Sequence, residues 1–173
     1  MSRFKADGRS YNFYDVGGAR SERKKWIKSV EDTHALVFLF DTACLGEPLQ
    51  EQEGDDAMAE QLMLWESIAN SHLFAGAHLI VIFTKVDKLT TDVLWRLYSL
   101  GLFEPFLAEY PETSDNALRG MAQKLMSLVR EPDHSQEQPR RWVSFWHASI
   151  ANSTTEMAEV ALSALEKLDQ EED

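Results

Sequence analysis

Leu79-Ile80-Val81-Ile82-Phe83 is an unbroken apolar run that passes directly into the polar word Thr84-Lys85-Val86-Asp87. A strand with one wet face would alternate in polarity, so this run predicts a strand buried on both faces of a parallel sheet. Upstream, Ala35-Leu36-Val37-Phe38-Leu39-Phe40 reads the same way. Between the two runs Met58, Leu62, Trp65 and Ala69 recur at helical spacing, and Leu118, Met121, Leu125 and Val129 repeat the pattern downstream. A further strand is expected within residues 140–147 (RRWVSFWH). A last helix is expected where Ser153 and Glu156 can form a capping box ahead of the stripe Met157, Val160, Ala164 and Leu168. Near the start, Asp7-Gly8 favours positive φ and predicts a hairpin between residues 4–6 and 10–15. Residues 46–56 and 131–139 read as loops, the former joining a strand to a helix. Strands alternating with helices predict an open α/β sheet with crossover helices, whose ligands bind at the C-terminal strand ends.

Composition narrows the function. At 173 residues the chain fits one domain, read here as 1–173, and 44% hydrophobic residues are enough to build a core. The formal net charge of −12 opposes binding to phosphate backbones, so no nucleic acid is expected as a partner. Cys44, the single cysteine, excludes a disulfide framework and reads as a small buried hydrophobe in a reducing cytosol. The five histidines show no ligand spacing, so zinc is not expected. No apolar run is long enough to cross a bilayer, and Ser2 stands where N-myristoylation would need glycine. The expected location is cytoplasmic.

The strand ends carry the chemistry. Asp15-Val16-Gly17-Gly18 puts a carboxylate able to hold magnesium through water three residues before a glycine amide able to approach a terminal phosphate. Asp87 can accept paired hydrogen bonds from the N1–H and exocyclic amine of guanine, which adenine cannot supply, and the Lys85 stem can cover one face of the base. After the last strand, His147-Ala148-Ser149 can offer a backbone N–H to the guanine carbonyl. Each word alone also fits an ordinary turn.

Their order along the chain, and above all the word DVGGARSERKKWI at residues 15–27, closely resembles the third nucleotide motif and switch II of heterotrimeric G-protein alpha subunits. Ser67-Ile68-Ala69-Asn70 is similar to the end of that family's third core helix, with matching spacing to TKVD. The resemblance implies a partial P-loop GTPase (Ras-like) fold, mostly parallel with one antiparallel edge hairpin. It implies GTP or GDP with Mg2+ as ligands: Asp15 at magnesium, Gly18 at the γ-phosphate, Val16 and Gly17 beside them, Thr84, Lys85, Val86 and Asp87 around guanine, and Ala148 through its amide. Arg20, Arg23, Lys24, Lys25 and Trp26 would form the switch II surface for the beta-gamma dimer and effectors. A receptor and the inner face of the plasma membrane would be reached through partners.

Departures from the family set further expectations. Ala19 replaces the glutamine that orients the attacking water, so hydrolysis should be impaired and no catalytic residue is assigned. Thr84 replaces asparagine, and no G-x-x-x-x-G-K-[ST] word occurs. The family's N-terminal helix, inserted helical domain with its arginine finger, and switch I threonine have no counterpart, and the closing DQEED is acidic where the family's receptor-reading tail is apolar. The chain reads as starting at the family's second strand, without the central first strand that lies between the counterparts of residues 10–15 and 35–40. Those two strands should then pair directly, leave a loose fold, or receive a strand from another chain. Asp15 and Asp87 are expected to top strands of one sheet and to face a shared cleft shaped for a purine nucleotide. Three readings follow: a nucleotide-binding signal transducer, a nucleotide-free remnant that captures beta-gamma or effectors, or a fragment of a truncated gene model.

Overall fold

The computed structural model describes residues 2–6, 8–24, 26, 33–44, 56–99, 114–130, 143–147 and 162–163. Strands β1 (Ser2–Ala6) and β2 (Arg9–Phe13) pair antiparallel from Ser2↔Phe13 to Ala6↔Arg9. The turn between them places Gly8 at φ +79°, where a side chain would be strained. Strands β3 (Ala35–Asp41), β4 (His78–Thr84) and β5 (Val143–His147) form a parallel sheet in the order β3-β4-β5.

The apolar run of β4 is covered on both faces, whereas β3, expected to be buried in the same way, leaves Leu39 exposed and Ala35, Leu36 and Val37 half-buried. Leu79, Ile80, Val81 and Ile82 are fully buried and Phe83 nearly so. Leu79, Val81 and Phe83 join Phe38 and Phe40 in a cluster with Met58 and Trp65 of α1 (Ala57–Ala69) and with Leu118, Met121 and Leu125 of α3 (Ser114–Ser127). Ile80 and Ile82 face the other way and lie outside that cluster. Helix α1 begins where Asp56 Oδ1 accepts the Met58 and Ala59 amides at 2.9 and 3.0 Å. The Trp65 ring stands 5.5 Å from Phe38, and its indole N–H donates to Leu125 O at 2.9 Å, tying α1 to α3. Asn70 closes the same end, donating to Leu128 O at 2.9 Å and accepting from Arg130 N at 2.8 Å.

One helix escapes the sequence reading. Helix α2 (Thr91–Ser99) buries Leu94 and Leu97, and Thr90 Oγ1 accepts the Val93 amide at 3.4 Å. Of the expected last helix only residues 162–163 are described, and they are helical; its capping box at Ser153 and Glu156, all of its stripe, residues 46–55 and residues 131–139 lie outside the described residues.

Two expectations are corrected. The hairpin forms, but as a separate two-stranded sheet rather than at the edge of the parallel one, and β2 does not close up on β3. Asp15 and Asp87 therefore follow strands of different sheets. The outer edge of β3 is partly answered by the chain itself. His34 O accepts from His78 N, and Thr42 N donates to Thr84 O, so even-numbered residues of β3 bond β4 and odd-numbered ones point outward. At Asp41 the Gln61 carboxamide substitutes for a neighbouring strand: its oxygen accepts Asp41 N at 2.7 Å and its nitrogen donates to Asp41 O at 3.1 Å. Ala35 and Val37 are half-buried and Leu39 is 49% exposed, so the face they share is open to water at Leu39.

Candidate functional site

The strand β4 stops at Thr84 because the chain turns sharply there. Lys85 adopts left-handed backbone (φ 57°), and Val86–Lys88 form a single 3-10 turn. Thr84 knits the strand ends together: its hydroxyl donates to Phe40 O at 3.2 Å, and its carbonyl accepts the Thr42 hydroxyl at 2.8 Å. The side chain at the position of the family's base-reading asparagine is thus engaged with β3 backbone. The Lys85 ammonium pairs with the Asp41 carboxylate, whose other oxygen accepts the Ala43 amide at 3.0 Å. Val86 packs against the core cluster. Asp87 is exposed, with Lys88 Nζ 3.3 Å from its carboxylate. The carboxylate that would select guanine is therefore accessible, at the end of the most buried strand.

The Asp15–Gly18 stretch follows β2 and is exposed throughout. A Cβ at Gly17 would stand 3.1 Å from the Cβ and Cγ of Glu22, so a side chain there would press on its neighbour, whereas Gly18 has open space. The stretch is held by residues just downstream: Trp26 Nε1 donates to Gly17 O at 2.9 Å and Arg23 Nε to Gly18 O at 3.3 Å. Ala19 is half-buried, and its carbonyl accepts Glu22 N at 2.9 Å. No group of three or more His, Cys, Asp or Glu that could hold a metal occurs among the described residues. Asp15, solitary and solvated, does not by itself make a magnesium site; magnesium at such carboxylates is held in company with phosphate oxygens.

The basic segment is not merely a solvated face. Arg20 grips Glu60 of α1 with its fork, Nε to Oε1 at 3.1 Å and Nη2 to Oε2, while Arg23 Nη2 lies 2.7 Å from Glu60 Oε1. The Arg20 hydrogen bonds hold the Glu60 carboxyl far below its ordinary range, to about 2, with Arg23 adding to the effect against the opposing cost of burial. Trp26 is half-buried against the core, and Lys24 is exposed. Lys25 and Ala148 lie outside the described residues. Between segment and helix runs a groove of about 440 Å³, lined by Arg20, Arg23, Trp26, Glu60, Met63 and Leu73 among others. Met63 and Leu73 are exposed at 66% and 44%, an apolar contribution beside the two arginines.

Sequence reasoning missed Glu60, Gln61 and Asp41. A signal existed for Glu60, a carboxylate in the first turn of a helix, next to its apolar stripe and downstream of a dense basic cluster. Nothing local marks Asp41 as the partner of Lys85, because the contact depends on the parallel register Asp41↔Thr84.

Comparison with known proteins agrees with this geometry. The family model for the G-protein alpha subunit matches residues 1–167. The chain is 37% identical over 124 residues to the guanine nucleotide-binding protein alpha-2 subunit of Neurospora crassa, covering 72% of this chain and 35% of that protein. It is 42% identical over 83 residues to an alpha-1 subunit of Schizosaccharomyces pombe, covering 48% and 20%. An alpha-3 subunit of Caenorhabditis elegans matches over 168 residues at 27% identity, covering 97% of this chain and 44% of the relative. The chain thus spans less than half the length of these relatives. With a mostly parallel α/β sheet, the DVGG and TKVD words at strand ends and a family match along nearly its whole length, the chain belongs to the G-protein alpha subunit family.

Proposed function

We propose that the chain is a guanine-nucleotide-binding signal transducer of the alpha-subunit type, hydrolytically impaired. The observation that carries this reading is Asp87: an accessible carboxylate on the turn that ends the fully buried strand β4, at the position of the family's base-reading acid. Lys85, Val86 and Thr84 shape that turn, and the Ala148 amide is assigned to the guanine carbonyl. Asp15, Val16, Gly17 and Gly18 would meet phosphates. The 173 residues assayed by themselves are expected to bind nucleotide weakly, since they hold no phosphate-cradling G-x-x-x-x-G-K-[ST] word. Slow hydrolysis follows from Ala19, whose methyl cannot orient a water. No step is assigned to magnesium, since Asp15 alone does not make its site.

Titration with fluorescent GDP, GTP and ATP analogues tests the reading. Weak binding that prefers guanine, with the preference lost in Asp87→Asn, is expected. Sub-micromolar affinity would overturn the low-affinity part, and equal binding of adenine and guanine analogues would overturn the base assignment.

A second reading is favoured by the Arg20–Glu60–Arg23 clamp, which seats the switch segment on α1 through the protein's own contacts. On this reading Arg20, Arg23, Lys24, Lys25 and Trp26 form a surface for a beta-gamma dimer or effector, and the chain reaches receptors and the inner face of the plasma membrane through such partners. No helix among the described residues is long and apolar enough to cross a membrane. Capture of purified beta-gamma dimer that is abolished by replacing Lys25 and Trp26 with alanine supports this reading; absence of capture by the unaltered chain rejects it.

A further inference from the structure

We infer that Asp41 is the positioning residue of the Thr84–Asp87 turn: its carboxylate holds Lys85 in left-handed backbone and so keeps Asp87 displayed to a guanine base, a role that rests on the proposed nucleotide reading for its ligand. Among the described residues, Lys85 is the one residue other than glycine with a positive φ. Asparagine and aspartate tolerate that region because their short side chains bond the local backbone, and lysine has no such compensation. An interaction from outside the turn has to favour the bend.

Asp41 supplies it. The parallel register sets Asp41 beside Thr84, so a carboxylate at the end of β3 meets the first residue past β4. Its Oδ1 accepts the Ala43 amide at 3.0 Å, which fixes the carboxylate in place, and its Oδ2 takes the Lys85 ammonium. With 26% of the Asp41 side chain and 40% of the Lys85 side chain exposed, water screens the pair only in part. The neighbours anchor the turn on either side: Thr84 through Phe40 O and the Thr42 hydroxyl, Val86 against the core cluster. Lys85 lies between those anchors, and its direction sets how the chain enters the 3-10 turn. That turn is closed by Lys88 N to Lys85 O at 2.9 Å and Leu89 N to Val86 O at 3.1 Å. The pairing also bears on the charge of Asp87. An ammonium two residues away can neutralise that carboxylate, but Lys85 is engaged with Asp41, and the cation beside Asp87 is the exposed Lys88.

Asp41→Asn removes the charge and keeps an acceptor for the Ala43 amide. In the ligand-free 173-residue chain, residue-resolved amide exchange should then show Lys88 and Leu89 exchanging about fivefold faster, the scale of a half-exposed ion pair, with the β4 amides unchanged. Lys85→Gly relieves the backbone and removes the ammonium, so adding Asp41→Asn to it should change the turn amides no further. With fluorescent GDP and ADP analogues, Asp41→Asn should lower the preference for guanine over adenine by about the same factor. A change of net charge or a general loosening would move both affinities together and leave their ratio as it was. Unaltered exchange at Lys88 and Leu89 overturns the inference, since Thr84 and Val86 would then suffice to hold the turn. A full-sized Asp41→Asn effect in the Lys85→Gly background also overturns it, because Asp41 would be acting by another route. Faster exchange spread along β4 would mark a loss of fold, and likewise rejects it. So does a guanine preference that survives Asp41→Asn, or tighter binding of both analogues, in which case Asp41 withholds the ammonium from the phosphates. An unaltered chain that binds neither analogue rejects the nucleotide reading and not the hold on the turn, which the exchange data decide on their own.

Discussion

Glu60 shows how much one carboxylate can organise. It sits in the first turn of α1, where the helix dipole favours a negative charge, and it receives both arginines of the preceding basic word. Its carboxyl is lowered from 4.5 to about 2, so the ionised form is the one the fold prefers. Such a group contributes stability fully above its unfolded value, and the contribution disappears as pH falls from about 4.5 toward 2. Glu60→Gln should cost about 1–2 kcal/mol at pH 7, a discounted figure because Arg20 is well exposed. The mutant should lose less stability than the parent across that acid window, which urea unfolding at pH 7 and pH 3 would measure. The basic word and the carboxylate were both legible in the sequence. Their meeting was not, because a separation of 40 residues is bridged only by the tertiary arrangement.

At the level of elements, α1 and α3 are joined by one buried indole bond and one amide. Trp65→Phe keeps the ring in contact with Phe38 but leaves Leu125 O without its donor, and should destabilise by about 1–3 kcal/mol in thermal unfolding. Trp65→Ala adds a cavity beneath the fully buried β4 and should cost about 3–5 kcal/mol. Removing the Asp56 cap with alanine should cost about 1 kcal/mol. The strand β4 was readable because burial on both faces leaves an unbroken apolar text; β3 carries the same text although one of its faces opens to water at Leu39. The helix stripe Met58–Leu62–Trp65–Ala69 was readable because one face alone is buried. Helix α2 was overlooked although Thr90 and the Val93-Leu94-Leu97 spacing mark it: its exposed Trp95 and short length dilute the pattern. The pairing of the hairpin was not readable at all, since turn chemistry fixes β1 against β2 and says nothing of which further strand either will meet.

Across the whole molecule, cohesion is uneven. The parallel sheet shares one apolar cluster with α1 and α3, whereas among the described residues β1 and β2 form a two-stranded sheet of their own, and two strands alone are marginal in water. Amide exchange should therefore separate the two: β1–β2 amides exchanging through local opening, and β4 amides near the limit of global unfolding. Equal protection across both sheets would contradict this picture. The segment carrying Asp15 follows the weak hairpin and the one carrying Asp87 follows the strong strand, so the two halves of the proposed nucleotide site differ in rigidity. A ligand touching both would have to immobilise the former.

The left-handed backbone of Lys85 also bears on evolution. A residue with a Cβ resists that conformation by roughly 1–2 kcal/mol, and glycine would adopt it without strain. Lys85→Gly would relax the turn but surrender the ammonium that bridges to Asp41, so the melting temperature reports only the balance of these opposing changes. A lineage drifting toward ease of folding alone would have reason to favour glycine here. That lysine stands at this bend suggests its amine is worth the discomfort, and places the turn among the positions where usefulness and comfort pull in different directions.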